Sequence, residues 1–262
     1  MMITVDLSDA ALALYYATGE HIPTPAPEPH ACVQLTAPGG SALGRYDASQ
    51  GCVVPLRVPE DILGIRARNR EQRFALDLLL DDSVQLVTLV GKAGTGKTLL
   101  ALAAAVSRTS AGAYDHVLVS RPIVPMGRDL GYLPGTVDEK LNPWIQPIHD
   151  NLAALRGDHS DQVQVEPLTY IRGRSLPRQY LIVDEAQNLT HHEVKTIITR
   201  AGAGTKVVLT GDPAQIDLPG VTRSNNGLSI VARRFEGVAI AGRVELCKSE
   251  RSELAEIASN VL

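Results

Sequence analysis

Cysteine is scarce here: Cys32, Cys52 and Cys247 are the only three among 262 residues, and no two form a CxxC pair. That scarcity excludes a disulfide framework and a zinc-ribbon pattern, and the three read as small apolar side chains of a reducing compartment. Long hydrophobic runs are missing too, since none approaches the length that spans a bilayer. The start of the chain carries Asp6 and no basic region ahead of an apolar run, which is not the pattern of a secretory signal. Positive charge is not in surplus either. With 25 Lys and Arg against 29 Asp and Glu, the net charge of −4 excludes a uniformly basic nucleic-acid binder and confines any such contact to a local patch. What composition does supply is core: 44% hydrophobic residues is ordinary for a globular protein, and the length suits one α/β domain with a small appendage. The expectation is a cytoplasmic protein with no membrane contact.

The chain is organised around residues 84–98, Val-Gln-Leu-Val-Thr-Leu-Val-Gly-Lys-Ala-Gly-Thr-Gly-Lys-Thr. An apolar, β-branched run reads as a strand buried on both faces. It breaks at Gly91, passes through Lys92, Ala93, Gly94, Thr95 and Gly96, and opens an apolar helix at Lys97 and Thr98. Strand, GxxxxGK[ST], helix is the phosphate-binding loop in its required context. Gly94 and Gly96 let backbone N–H groups turn inward around a phosphate chain, and the helix N-terminus adds its positive end. Lys97 reaches the β- and γ-phosphates, and the Thr98 hydroxyl is a ligand for Mg²⁺. A nucleoside triphosphate is the expected ligand, with ATP and Mg²⁺ as the bound pair.

Two further strand ends carry chemistry. Tyr180 to Val183 ends in Asp184-Glu185-Ala186-Gln187, an acidic pair expected on a strand beside the phosphate-loop strand. Asp184 there would hold the metal, and Glu185 would polarise the attacking water. Lys206 to Thr210 ends in Gly211-Asp212-Pro213-Ala214-Gln215, and Gln215 would hydrogen-bond the γ-phosphate or its attacking water. Strand and helix alternate, which predicts an α/β fold: a RecA-like parallel sheet with helices on both faces, plus a small N-terminal β-rich appendage.

The remaining segments are read more coarsely. Residues 1–62 hold a capped helix from Ser8 to Gly19, a proline-rich stretch, and runs at 31–36, 42–46 and 52–56 that suggest a small antiparallel unit. A helix rich in arginine is expected from Ile62. An insertion from Ile123 to about Leu155 carries an apparent capping box from Thr136 to Glu139 and a helix around Trp144 interrupted by Pro143 and Pro147. Residues 157–167 read as a loop. A second capping box spans Thr190 to Glu193, and a closing helix runs to Leu262.

A phosphate loop, DEAQ, GDPAQ and an Arg-Ser pair, in that order, resemble the first RecA-like domain of superfamily-1 helicases. More closely, residues 63–262, with SRPIVPMGRDLGYLPGT, YIRGRSLP, DEAQNLT, EVKTIITR, LTGDPAQID and ERSELA, resemble the PhoH family of ATPases. The resemblance implies an adenine contact for Gln72, in Arg70-Glu71-Gln72, and γ-phosphate contacts for Gln215 and Arg251. It implies ATP hydrolysis coupled to single-stranded RNA binding, translocation or unwinding, in a homo-oligomer that is a hexameric ring. Residues 1–62 resemble the β-rich connector that follows a PIN ribonuclease domain in some members. The clustered metal-binding acids of a PIN nuclease are not seen, so no intrinsic nuclease is expected, and a PIN-type ribonuclease would come from a partner or from a longer protein. An arginine supplied in trans at a ring interface is a further implication, with Arg121, Arg172, Arg174 and Arg178 as candidates. Two other readings stand beside this one. A nucleotide-gated scaffold for a partner ribonuclease would turn ATP over slowly, and a small-molecule P-loop kinase would have to exclude the water that Glu185 serves.

Overall fold

The computed structural model describes residues 2–122, 137–171 and 173–250. Ser8 and Gly19 bound the first helix as their chemistry implies. The Ser8 side chain accepts from the Ala11 N–H, and Gly19 takes the left-handed conformation (φ 72°) that ends α1, Asp9–Thr18. Around it lie β1 (Met2–Asp6), β2 (Cys32–Ala37), β3 (Gly40–Asp47) and β4 (Cys52–Pro55), one four-stranded sheet in the order β1-β2-β3-β4. The expected unit is antiparallel throughout, and β2, β3 and β4 pair that way. Strand β1 departs from it by pairing parallel to β2, with Met2 opposite Cys32 and Asp6 opposite Thr36. The cause is α1, because a helical crossover returns the chain in the direction it left.

The larger sheet has six strands, all parallel: β5 (Leu86–Gly91), β6 (His116–Ser120), β7 (Val163–Val165), β8 (Gln179–Val183), β9 (Lys206–Gly211) and β10 (Ala241–Leu246). Their order is β10-β5-β9-β8-β6-β7. Each central strand alternates its side chains between two cores. On one face Val87, Leu89, Val117, Val119, Ile182 and Val208 pack with α2 (Arg70–Leu80), α3 (Lys97–Ser110) and α4 (Val137–Ala153). On the other, Leu86, Val90, Leu181, Val183, Val207 and Leu209 pack against α6 (His191–Ile198) and α7 (Gly227–Arg234), with α5 (Leu168–Ile171) at the rim. The expected α/β fold with helices on both faces is the one observed.

Several local expectations are corrected. The acidic strand β8 is not beside the phosphate-loop strand β5, because β9 lies between them. Residues 157–167 are not all loop, since Val163–Val165 pairs with β6 at the sheet edge; three residues are too few to show a period in sequence. Helix α2 begins at Arg70 rather than Ile62, capped by the Asn69 side chain on Gln72 N. Ile62 and Ile65 instead close a tight turn through paired backbone bonds of 2.9 Å. Helix α4 runs through Pro143 and Pro147, where the Asn151 amide donates to the Pro147 carbonyl at 2.6 Å. The Thr190 capping box has both of its bonds. The Thr136 box, most of the insertion before it and the helix toward Leu262 lie outside the described residues.

The small sheet is joined to the core by a half-buried polar cluster. Arg45 of β3 reaches Asp77 (2.8 Å), Asp81 (2.5 Å) and the Nδ1 atom of His30 (2.8 Å), while His30 Nε2 bonds the Ala239 carbonyl at 2.7 Å. Arginine only donates, so His30 Nδ1 accepts and the ring proton sits on Nε2. Burial, with the guanidinium adding to it, pushes the His30 pKa below its ordinary value, although the Ala239 carbonyl pulls the other way. A base lowered in this way binds fewer protons folded than unfolded. Its contribution is therefore present above the ordinary histidine pKa and lost as pH falls through the lowered one. The melting temperature should fall by a few degrees between about pH 7 and pH 5, and His30→Gln should flatten that slope. Asp81, held down to about 2 against its burial by bonds from Ser83 and Arg45, acts only at lower pH. Asp77, raised by burial, acts in the opposite sense, so comparison with His30→Gln isolates the histidine. An unchanged slope in that variant would remove His30 from the account.

Candidate active site

Because all six strands of the large sheet run the same way, their C-terminal ends share one edge, and the residues that follow them meet there. Strand β5 leads into the phosphate loop. Gly94 (φ 77°) and Gly96 (φ 87°) take left-handed conformations that L side chains resist, and Gly96 caps α3 with no side chain of its own. The helix therefore begins with no side chain capping its N–H groups, and its head faces the loop. Lys97 is buried, and its ammonium donates to the carbonyls of Gly91 (2.7 Å) and Lys92 (2.8 Å) at the mouth of the loop. The Thr95 hydroxyl donates to the Lys92 carbonyl at 3.0 Å and stiffens the same turn.

Strand β8 delivers Asp184, whose Oδ1 accepts from the hydroxyls of Thr98 (2.9 Å) and Thr210 (2.6 Å). Its backbone N–H is tied to the Ser120 carbonyl at 2.9 Å. A carboxylate and a threonine hydroxyl in contact at the head of α3 are hard oxygen donors. They fit Mg²⁺, which takes one or two protein oxygens and fills its shell with water and phosphate. Thr98 and Asp184 are thus brought together as the sequence implies, and Thr210 joins them.

Glu185 follows in a left-handed turn (φ 54°), a conformation that a non-glycine residue adopts only when its surroundings hold it. Its Oε1 accepts from Arg121 at 2.9 Å and its Oε2 from Gln187 at 2.6 Å. Gln187 also donates to the Gln215 carbonyl (2.9 Å) and accepts from the Asp212 N–H (3.1 Å). Asp212 in turn accepts from the Ala93 N–H of the phosphate loop at 3.2 Å. One side chain, Gln187, thereby connects the acidic pair, the GDPAQ turn and the phosphate loop. Both Gln187 and Asp212 stand inside motifs visible in the sequence, yet nothing in the spacing says that they bond to each other.

A crevice of about 250 Å³ opens over these groups, lined by Gly94, Lys97, Thr98, Asp184, Glu185, Asp212, Gln215 and, from α4, Asn151. Gln215 is exposed at its rim. Gln72 is placed elsewhere. It is 4% exposed and lies behind the loop, its amide oxygen accepting from Arg68 N–H (2.8 Å) and its nitrogen donating to the Thr95 carbonyl (3.1 Å). It braces the phosphate loop, and an adenine contact would require it to leave those bonds. Arg251 lies outside the described residues. Glu250 just before it reaches the site, with its N–H on the Gly94 carbonyl (2.9 Å) and its carboxylate on Asn69 (3.0 Å).

The arginines considered for action in trans are scattered. Arg121 is against Glu185 of its own chain; Arg174 pairs with Glu166 at 2.8 Å, and Arg178 with Asp115 at 3.0 Å. Arg178 precedes β8, at the end of the sheet away from the crevice. Arg172 lies outside the described residues. The cluster near residue 66 is also matched by acids, since Arg66 pairs with Glu60 and Asp61, Arg68 with Glu250, and Arg70 with Glu71. No described helix is long and apolar enough to cross a membrane.

A sequence profile described as PhoH-like protein matches residues 64–260. Protein PhoH2 of Bacillus subtilis (strain 168) is 54% identical over 238 residues, 85% of this chain and 53% of that protein. Protein PhoH2 of Mycolicibacterium smegmatis is 41% identical over 242 residues, 89% of this chain and 55% of that protein. The chain thus spans about half the length of the curated relatives it matches. Among solved structures, the Pif1 helicase from Candida albicans aligns with a TM-score of 0.41 and 17% identity over 75% of this chain and 43% of that one.

Proposed function

This chain belongs to the PhoH family, and from that premise we propose that it hydrolyses ATP with Mg²⁺, coupled to single-stranded RNA, as a homo-oligomeric ring in the cytoplasm. The observation that carries the hydrolytic part is the convergence of Lys97, Thr98, Asp184 and Glu185 on one crevice. Lys97 would leave the loop carbonyls for the β- and γ-phosphates, and the N–H groups at the head of α3 would cradle the chain. Thr98 and Asp184 would hold the metal, which neutralises charge on the β- and γ-phosphate oxygens when bound. Glu185 would accept a proton from water as the water oxygen bonds the γ-phosphorus and the bond to the β-phosphate oxygen breaks. Gln215, exposed at the crevice rim, would hydrogen-bond the γ-phosphate or that water, and Arg251, the residue after Glu250 in sequence, would contact the γ-phosphate.

The RNA and ring parts rest on the resemblance to superfamily-1 helicases and on the single RecA-like sheet, which has no second motor domain among the described residues to close over the crevice. The expected result is Mg-ATP turnover by purified protein that rises on adding a single-stranded RNA at low salt, carried by a species that sediments as an oligomer. Turnover indifferent to RNA, or an active monomer, would sink the corresponding part. One observation favours the slower, scaffold-like reading as a second possibility: both oxygens of Glu185 are engaged, by Arg121 and by Gln187. A partner ribonuclease captured only with nucleotide bound, at a turnover that RNA leaves unchanged, would select it.

A further inference from the structure

We propose that Arg121 is a positioning residue that restrains Glu185, and that a phosphodiester strand withdrawing its guanidinium releases Glu185 for hydrolysis. The inference rests on the ATPase reading and names the regulation of that same site.

A carboxylate that is to take a proton from water needs an oxygen free to face it, and a donor already on that oxygen competes with the water. Arg121 Nη2 occupies Oε1 at 2.9 Å and Gln187 Nε2 occupies Oε2 at 2.6 Å. The two restraints are unequal. Gln187 is itself fixed by the Gln215 carbonyl and the Asp212 N–H, and is only 1% exposed, so its departure would unmake the turn around it. The Arg121 side chain is 24% exposed and that of Glu185 31%, which places their contact at the edge of solvent. An ion pair there is weak and easily exchanged. Phosphodiester oxygens offer a guanidinium paired, charge-assisted bonds in a geometry that one carboxylate oxygen does not match.

The backbone beneath Arg121 is held fast, so the exchange is a side-chain event. The Ser120 hydroxyl donates to the Glu166 carbonyl at 2.7 Å, and the Ser120 carbonyl accepts from Asp184 N–H at 2.9 Å. The second of these bonds joins the strand that ends at Ser120, just before Arg121, directly to the residue before Glu185. Arg121 can therefore swing between carboxylate and phosphate without moving the metal-binding Asp184.

The test uses the whole chain and an oligouridylate as the probe. Steady-state Mg-ATP turnover of wild type, Arg121→Gln and Arg121→Lys is measured with and without the RNA, and melting curves confirm folding. Without RNA, Arg121→Gln should raise kcat by about tenfold, on the scale of one restraint lifted from the general base, with KM for ATP unchanged. RNA should then add little to that variant, while Arg121→Lys, which keeps the cation but not the paired donors, should retain a low basal rate and lose most of the stimulation. A fall in kcat for Arg121→Gln, or no change, overturns the restraint. If that variant is faster but RNA does not stimulate the wild type, the restraint stands and the release by RNA is overturned, which separates this inference from the RNA reading.

Discussion

Replacing Glu185 by glutamine is expected to lower Mg-ATP turnover by about two to four orders of magnitude, the usual contribution of a positioned general base, while nucleotide affinity stays within a few-fold. Glutamine keeps the size and shape of the side chain, so the left-handed turn at 185 is undisturbed. Its amide oxygen still accepts from Arg121, and Lys97, Thr98 and Asp184 keep their own contacts. What is lost is a group that can take a proton, together with the acceptor of the Gln187 bond. Single-turnover hydrolysis and binding of a fluorescent ATP analogue, measured on one preparation, separate the two effects. Turnover near that of the wild type would mean that water is activated elsewhere, and the role given to Glu185 would have to be abandoned. Affinity lost in parallel with turnover would instead show that Glu185 helps to hold nucleotide.

The largest expected loss of stability comes from one methyl group. Gly91 lies opposite Leu246 in the β5–β10 pairing, and a Cβ placed on it would come within 2.2 Å of the Leu246 carbonyl oxygen. That neighbour is backbone in a paired strand, so it yields only by parting the two strands. Gly91→Ala should cost about 3 kcal/mol or more, or about 6–12 °C in melting temperature for a chain of this size. Gly112→Ala is the comparison. Gly112, unlike Gly91, is in the left-handed region (φ 77°), yet an added Cβ there would meet nothing within 4 Å. Only conformational strain of about 1–2 kcal/mol is expected for it. If Gly91→Ala melts no lower than Gly112→Ala, the close approach of β10 to the loop strand is wrong.

How much of this is legible in the sequence follows from how local each feature is. The phosphate loop, the capped ends of α1 and α6 and the buried β-branched runs are written within a few residues of themselves, and the structure has them where the sequence does. Strand order is not local. Nothing in residues 179–183 or 206–211 says that the later strand inserts between the earlier one and β5, although that insertion is what brings Thr210 onto Asp184. Strands β1 and β7 escape notice for a different reason: one is five residues long, ahead of a helix whose cap draws the eye, and the other is only three residues long. Side-chain partners are the least legible. Gln72 has the residue type and place of an adenine contact but bonds to Arg68 and Thr95, and Arg121 has the type of a finger acting in trans but lies on Glu185 of its own chain. Gln187 has no sequence signal beyond its place in DEAQ, yet it bonds to Glu185, Asp212 and Gln215.

The bond from Glu250 N–H to the Gly94 carbonyl makes the phosphate loop a neighbour of the chain's late residues in a way a spectroscopist can use. Gly94 is one of the groups expected to wrap the phosphates, and three residues before Glu250 stands Cys247, exposed while Cys32 and Cys52 are buried. A thiol-reactive dye on the native protein therefore labels one position, and that position is carried on the strap that holds the loop. The molecule comes with its own reporter: filling the loop changes the surroundings of the dye with no engineered cysteine, and stopped-flow emission from it would time the arrival and departure of nucleotide.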